Sequence, residues 1–204
     1  MNKNLSLHTS HGPLYGHLHL PAEAHSLVLL VRSHLTAADT ILTEKISDHG
    51  LAVFAMDLLT AQESQFPDAS HNVPKLGQRL LEILDFVRRE PELQMLAIGL
   101  FSLGDASPAA LRVAAQRDTQ ISAVACHGGM IDRAGKQALD LLRAPLVLLC
   151  NADDDLARAS YERSSPYLAA PHEIKFLPLG CDLAPLTADW FAAHMPLTEN
   201  INRG

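Results

Sequence analysis

The chain has 204 residues, 48% of them hydrophobic and 19% charged, a globular balance that excludes a disordered polymer and suits one domain over residues 1–204. A formal charge of −7, from 16 basic and 23 acidic side chains, disfavours a phosphate backbone as partner, so no nucleic acid is expected. No apolar run approaches the ~20 residues of a membrane span. The polar start Met1-Asn2-Lys3-Asn4 has no signal-peptide pattern, which leads to the expectation of a cytoplasmic protein without a membrane partner.

Residues 4–9 and 14–20 read as an antiparallel hairpin across His11-Gly12-Pro13. The second of these alternates apolar and polar side chains, as a half-buried strand does. Runs that are apolar throughout follow at 26–31, 51–56, 95–101, 121–126 and 146–150, and residues 173–179 make a plausible final strand. Continuous apolar runs suit strands buried on both faces of a parallel sheet. Helices are expected between them. Residues 39–49 end at Gly50, and the 73–87 helix is entered by Asn72 and Pro74, with Val73, Leu76, Leu80, Ile83, Leu84 and Val87 at helical spacing. Further helices are expected at 107–116, 133–143, 156–168 and 185–194. The pattern predicts one doubly wound, mostly parallel α/β sheet with helices on both faces and an N-terminal antiparallel hairpin. Ligands of such sheets sit beyond the C-terminal strand ends.

Several short motifs fall at those ends. Leu20-Pro21 follows the second strand, Asp57-Leu58-Leu59-Thr60 the fourth, and Ile98-Gly99-Leu100-Phe101 leads into a turn. Ala144-Pro145 opens the strand that ends in Asn151-Ala152-Asp153-Asp154, and Trp190-Phe191 lies in the last helix. Over nearly its whole length the chain resembles the α/β-hydrolase superfamily, specifically its small dienelactone-hydrolase-like members. The resemblance implies a Ser or Cys nucleophile on a sharp strand-to-helix turn, then an acid, then a histidine, in that order, for hydrolysis of esters or lactones.

Several of those positions depart from the pattern. Two registers of the turn are open. One makes Ser102 the nucleophile but places Pro108 beyond the first helical turn, where its ring clashes with a carbonyl. The other places Pro108 in the first turn, where its missing N–H costs little, and puts Gly104 at the nucleophile position. Pro108 favours the second. After the last strand the family has a Gly, two residues and a His. Here Gly180-Cys181-Asp182-Leu183 puts Asp182 in the histidine's place. In the loop after the first long strand, Arg32 and Ser33 stand where the family has His and Gly. Asp154 falls at the triad acid, although an aspartate there also suits a helix cap.

The three cysteines, Cys126, Cys150 and Cys181, fall near predicted strand ends, are odd in number and lack CxxC spacing, so reduced thiols are expected. Together with His34, His127, Asp105, Asp154 and Asp182 they form a rim set that invites a metal or an alternative nucleophile at Cys126. The simpler explanation is small residues closing buried strands, with no metal and no cofactor.

Three functions fit this pattern. In the first, the fold binds a small molecule or a protein partner without standard Ser-His-Asp chemistry. Its pocket residues are Arg32, His34, Gly104, Asp105 and Asp182, with Arg32 suited to a carboxylate or phosphate. In the second, an active esterase or lactone hydrolase uses Ser102 with Asp154 and a relocated histidine such as His127. In the third, the fold is a scaffold subunit, with the Pro-containing stretch 61–74 as contact surface. Oligomeric state is not legible in the sequence.

Overall fold

The structure is a computed structural model and describes residues 1–195. Strands β1 (Asn2–Thr9) and β2 (Gly12–His19) form the antiparallel hairpin, with Thr9 opposite Gly12 across the turn. Strands β3 (Ser26–Arg32), β4 (Ala52–Asp57), β5 (Ala97–Leu103), β6 (Ile121–His127), β7 (Leu146–Asn151) and β8 (His172–Leu177) complete one eight-stranded sheet in the order β1-β2-β4-β3-β5-β6-β7-β8. β2 joins β4 antiparallel, and every pairing from β4 to β8 is parallel.

Helices cover both faces. α2 (Val73–Val87), α3 (Ser107–Gln116) and α5 (Asp155–Ser164) bury Leu76, Leu80, Ile83, Ala109, Ala110 and Tyr161 against one face, on which Leu29, Phe54 and Leu100 lie. α1 (Ala37–Ser47) and α6 (Leu183–His194) bury Ile46, Ala184, Ala188 and Phe191 against the other, on Val28, Leu30 and Phe101. Alternate residues of the central strands thus serve opposite cores, which is why those strands read as unbroken apolar runs. β2 is buried on one face only: Leu14 and Leu18 are enclosed, whereas Tyr15 is exposed.

Most boundaries shift by one or two residues, and three differences have a clear physical cause. β5 lies two residues later than 95–101, because residues 93–96 are turned by Leu93 N–H to Glu90 O and Leu96 N–H to Leu93 O bonds, leaving Met95 exposed. The 133–143 segment is split by Gly135 at φ +88° into a short 3-10 turn and α4 (Lys136–Leu141). The 156–168 segment leaves α-helical geometry at Ser165, where Pro166 has no N–H to continue it.

The 61–74 stretch is a largely exposed segment with local order. It holds two 3-10 turns, pinned by Glu63. Glu63 accepts the Thr60 N–H and hydroxyl at 3.0 Å and the Arg79 Nη2 at 2.8 Å, and it pairs with Lys75. Arg79 is fully buried in α2 and also donates to Leu58 O at 2.7 Å.

Candidate functional site

The C-terminal strand ends converge on a cavity of 670 Å³, within the ordinary range for small-molecule sites. Its polar lining is Arg32 from β3, Asp39 and Lys45 from α1, His127 from β6, Asp154 after β7 and Asp182 before α6. Ile41, Leu42, Leu103 and Leu183 supply apolar wall, and Gly104, Gly128 and Gly129 line it with backbone. A smaller neighbouring depression of 340 Å³ holds His34 and Asp105, and it shares Arg32, Leu103 and Gly104 with the first. The expected rim set is therefore dispersed: His127, Asp154, Cys181 and Asp182 line the first, His34 and Asp105 the second, and the buried Cys126 and Cys150 line neither.

β5 ends at Leu103, and Gly104 makes the strand-to-helix turn at φ +58°, with Pro108 in the first turn of α3. A left-handed φ favours glycine, since a Cβ there meets the following carbonyl. A Cβ built on Gly104 would otherwise meet open space. Gly129 lies against this turn so closely that a Cβ on it would clash with the Gly104 carbonyl.

Ser102 lies inside β5 and is fully buried. Its hydroxyl donates to Ser107 Oγ at 3.2 Å, and Ser107 in turn donates to Gly128 O at 3.1 Å. Cys126 Sγ is 3.2 Å from the same hydroxyl. Burial pushes its thiol up to about 12, so it carries almost no thiolate at neutral pH. Tyr161 OH donates to Gly128 O and Leu149 O, which ties the β6 loop down from below. Cys150 is buried and Cys181 is partly exposed at the cavity. Among the described residues, no three His, Cys, Asp or Glu side chains come together in a way that would hold a metal ion.

His127 lies on the cavity wall with Nε2 3.1 Å from Asn151 Oδ1. With that oxygen accepting, Nε2 carries the proton and Nδ1 is left as an acceptor. Burial lowers its pKa, the Asn151 bond opposes this, and Arg32 adds to the lowering, so the ring is neutral at physiological pH.

Asp154 caps α5 by accepting the Ala157 N–H at 2.9 Å, while its other oxygen faces Gly128. Asp182 caps α6 through the Ala184 N–H and pairs with Lys45 Nζ at 2.7 Å. The Lys45 and Ala184 bonds lower its pKa. Arg32 is neutralised neither by Asp105 nor by Asp182. Its Nη1 contacts both oxygens of Asp39, at 2.9 and 3.0 Å. Asp105 instead accepts from Ser70 Oγ at 2.7 Å, and His34 lies 3.5 Å from Asp57.

Asp39 and Lys45 are the site residues not found from sequence. The Thr36 to Asp39 spacing signals a capping box, which α1 indeed forms. Nothing local signals that α1 turns these charges toward segments as far as 137 residues away.

The comparisons with known proteins fit this architecture. A dienelactone hydrolase from Anabaena variabilis matches with TM-score 0.85 and 26% identity, over 96% of this chain and 99% of its own. The fold is that of an α/β-hydrolase. A cold-adapted esterase from an Arctic intertidal metagenomic library shares this α/β-hydrolase fold at TM-score 0.76 and 16% identity, over 96% and 94% of the two chains. A provisionally named phosphoribosyl transferase of Mycobacterium tuberculosis is 24% identical over 197 residues and matches 90% of this α/β-hydrolase-fold chain. The chain spans 44% of that relative's length. No protein-family profile matches the sequence. No helix among the described residues is long and apolar enough to cross a membrane.

Proposed function

We propose that this chain is an α/β-hydrolase-fold protein whose rim cavity binds a small molecule and that does not perform Ser-His-Asp hydrolysis. The observation that supports it is Gly104 at the strand-to-helix turn, φ +58°, which this proposal reads as the position of the nucleophile in the fold's hydrolases. Glycine has no atom with which to attack. Ser102, two residues earlier, has its hydroxyl enclosed and bonded to Ser107, which supports a packing role. Asp182, at the position that resembles the family histidine, is tied up as a helix cap and ion pair with Lys45 and has no basic nitrogen to take a proton.

The cavity keeps features of a binding site. The Arg32 guanidinium has N–H groups beyond the one held by Asp39, and these suit a carboxylate or phosphate oxygen. The neutral His127 offers an acceptor nitrogen, and Ile41 and Leu42 offer apolar contact. A cytoplasmic location belongs to the same proposal.

Turnover of short p-nitrophenyl esters and a simple lactone by the purified protein, with Ser102→Ala as control, tests it. The expected result is no rate above background in either protein. Clear turnover that a single rim or Ser102 substitution abolishes would overturn the proposal.

A further inference from the structure

We propose that a second copy of this chain pairs with the free edge of β8, antiparallel and centred on Ile174, so that two sheets join into one. Among the described residues β8 pairs only with β7, which makes it an edge strand with unpaired backbone groups.

The edge has a definite polarity. Leu146 N–H bonds Pro171 O at 2.9 Å and Ala152 N–H bonds Leu177 O at 2.8 Å. In a parallel ladder both backbone groups of a residue point to the same side, so the odd-numbered residues of β8 face β7. The N–H and C=O groups of His172, Ile174 and Phe176 therefore point outward. Pro178 has the same parity but no N–H, and it ends the usable edge.

A two-fold axis through Ile174 uses all of these groups. Ile174 exchanges both hydrogen bonds with its own copy, and His172 does so with Phe176 on each side. On one face the aromatic pair His172 and Phe176 then flanks Ile174, and Phe176 is otherwise 51% exposed. On the other face Glu173 of each copy stands opposite Lys175 of the other. Within one chain these two side chains already form an ion pair at 3.2 Å. Moving the axis by one residue sets Glu173 against Glu173 or Lys175 against Lys175. Like charges directly opposite are destabilising, so the side chains select the Ile174 register.

Sedimentation velocity over a concentration series provides the test, with circular dichroism confirming that each variant is folded. The wild-type chain should show a concentration-dependent dimer. Glu173→Lys and Lys175→Glu should each weaken it about tenfold or more, because each replaces two opposite-charge pairs with like-charge pairs. An equimolar mixture of the two variants restores every pair and should recover the dimer. A wild-type chain that stays monomeric at its highest soluble concentration would overturn the proposal. So would a dimer indifferent to both charge reversals, or variants that weaken it but fail to rescue one another.

Discussion

Gly104 and Gly129 show how two glycines in one turn cost differently to replace. Gly104 has open space where a Cβ would go, so Gly104→Ala carries only the backbone cost of φ +58°, about 1 kcal/mol. At Gly129 the new atom meets the Gly104 carbonyl, a backbone group that cannot swing aside, and φ is +84° as well. Overpacking added to backbone strain should cost Gly129→Ala about 3 kcal/mol. Urea unfolding at neutral pH checks this; equal losses in the two variants would refute the difference in packing. The turn at Gly104 was legible from Pro108, because a proline's place in a helix is fixed by local chemistry. The partner of Arg32 was not. Asp39 is nearby in sequence, but only the turn of α1 over the rim brings its carboxylate to the guanidinium.

At the scale of elements, the 61–74 segment is held to α2 by one carboxylate. Burial works against ionisation of Glu63, but the bonds from Arg79, Lys75 and Thr60 outweigh it and hold the group well below the usual carboxylate range. A folded-state pKa below the unfolded one means that the unfolded chain binds more protons. The contribution is therefore complete above pH 4.5, the ordinary value, and shrinks as pH falls below it. Glu63→Ala should cost about 3 kcal/mol at pH 7, because it leaves the buried Arg79 charge uncompensated. The gap between wild type and variant should narrow in urea titrations at successively lower pH below 4.5, and a gap independent of pH would contradict the assignment. The element types were readable throughout, since period and apolar runs are local signals. The ion pair was not, because a lone arginine in an amphipathic helix looks like a solvated one. Gly135 and Pro166 are plain in the sequence, and the split and the stop that they impose follow from a positive φ and a missing N–H.

For the whole molecule, the mostly parallel sheet and its two helix-covered faces followed from alternating strand and helix patterns, whereas the strand order comes from the structure. The α/β-hydrolase resemblance quoted from short motifs agrees with the dienelactone hydrolase match across almost the full chain. Function is less legible because the fold fixes where a site lies, whereas a few side chains fix what it does. Here those side chains are a glycine at the turn, an aspartate paired with a lysine, and an arginine clamped by another aspartate. The most direct measurement is the intact mass of the protein after prolonged exposure to an organophosphonate that traps activated serines. An unmodified mass is expected, because Gly104 cannot react and Ser102 is enclosed. A stoichiometric adduct mapped to Ser102 would contradict the proposed loss of hydrolase chemistry.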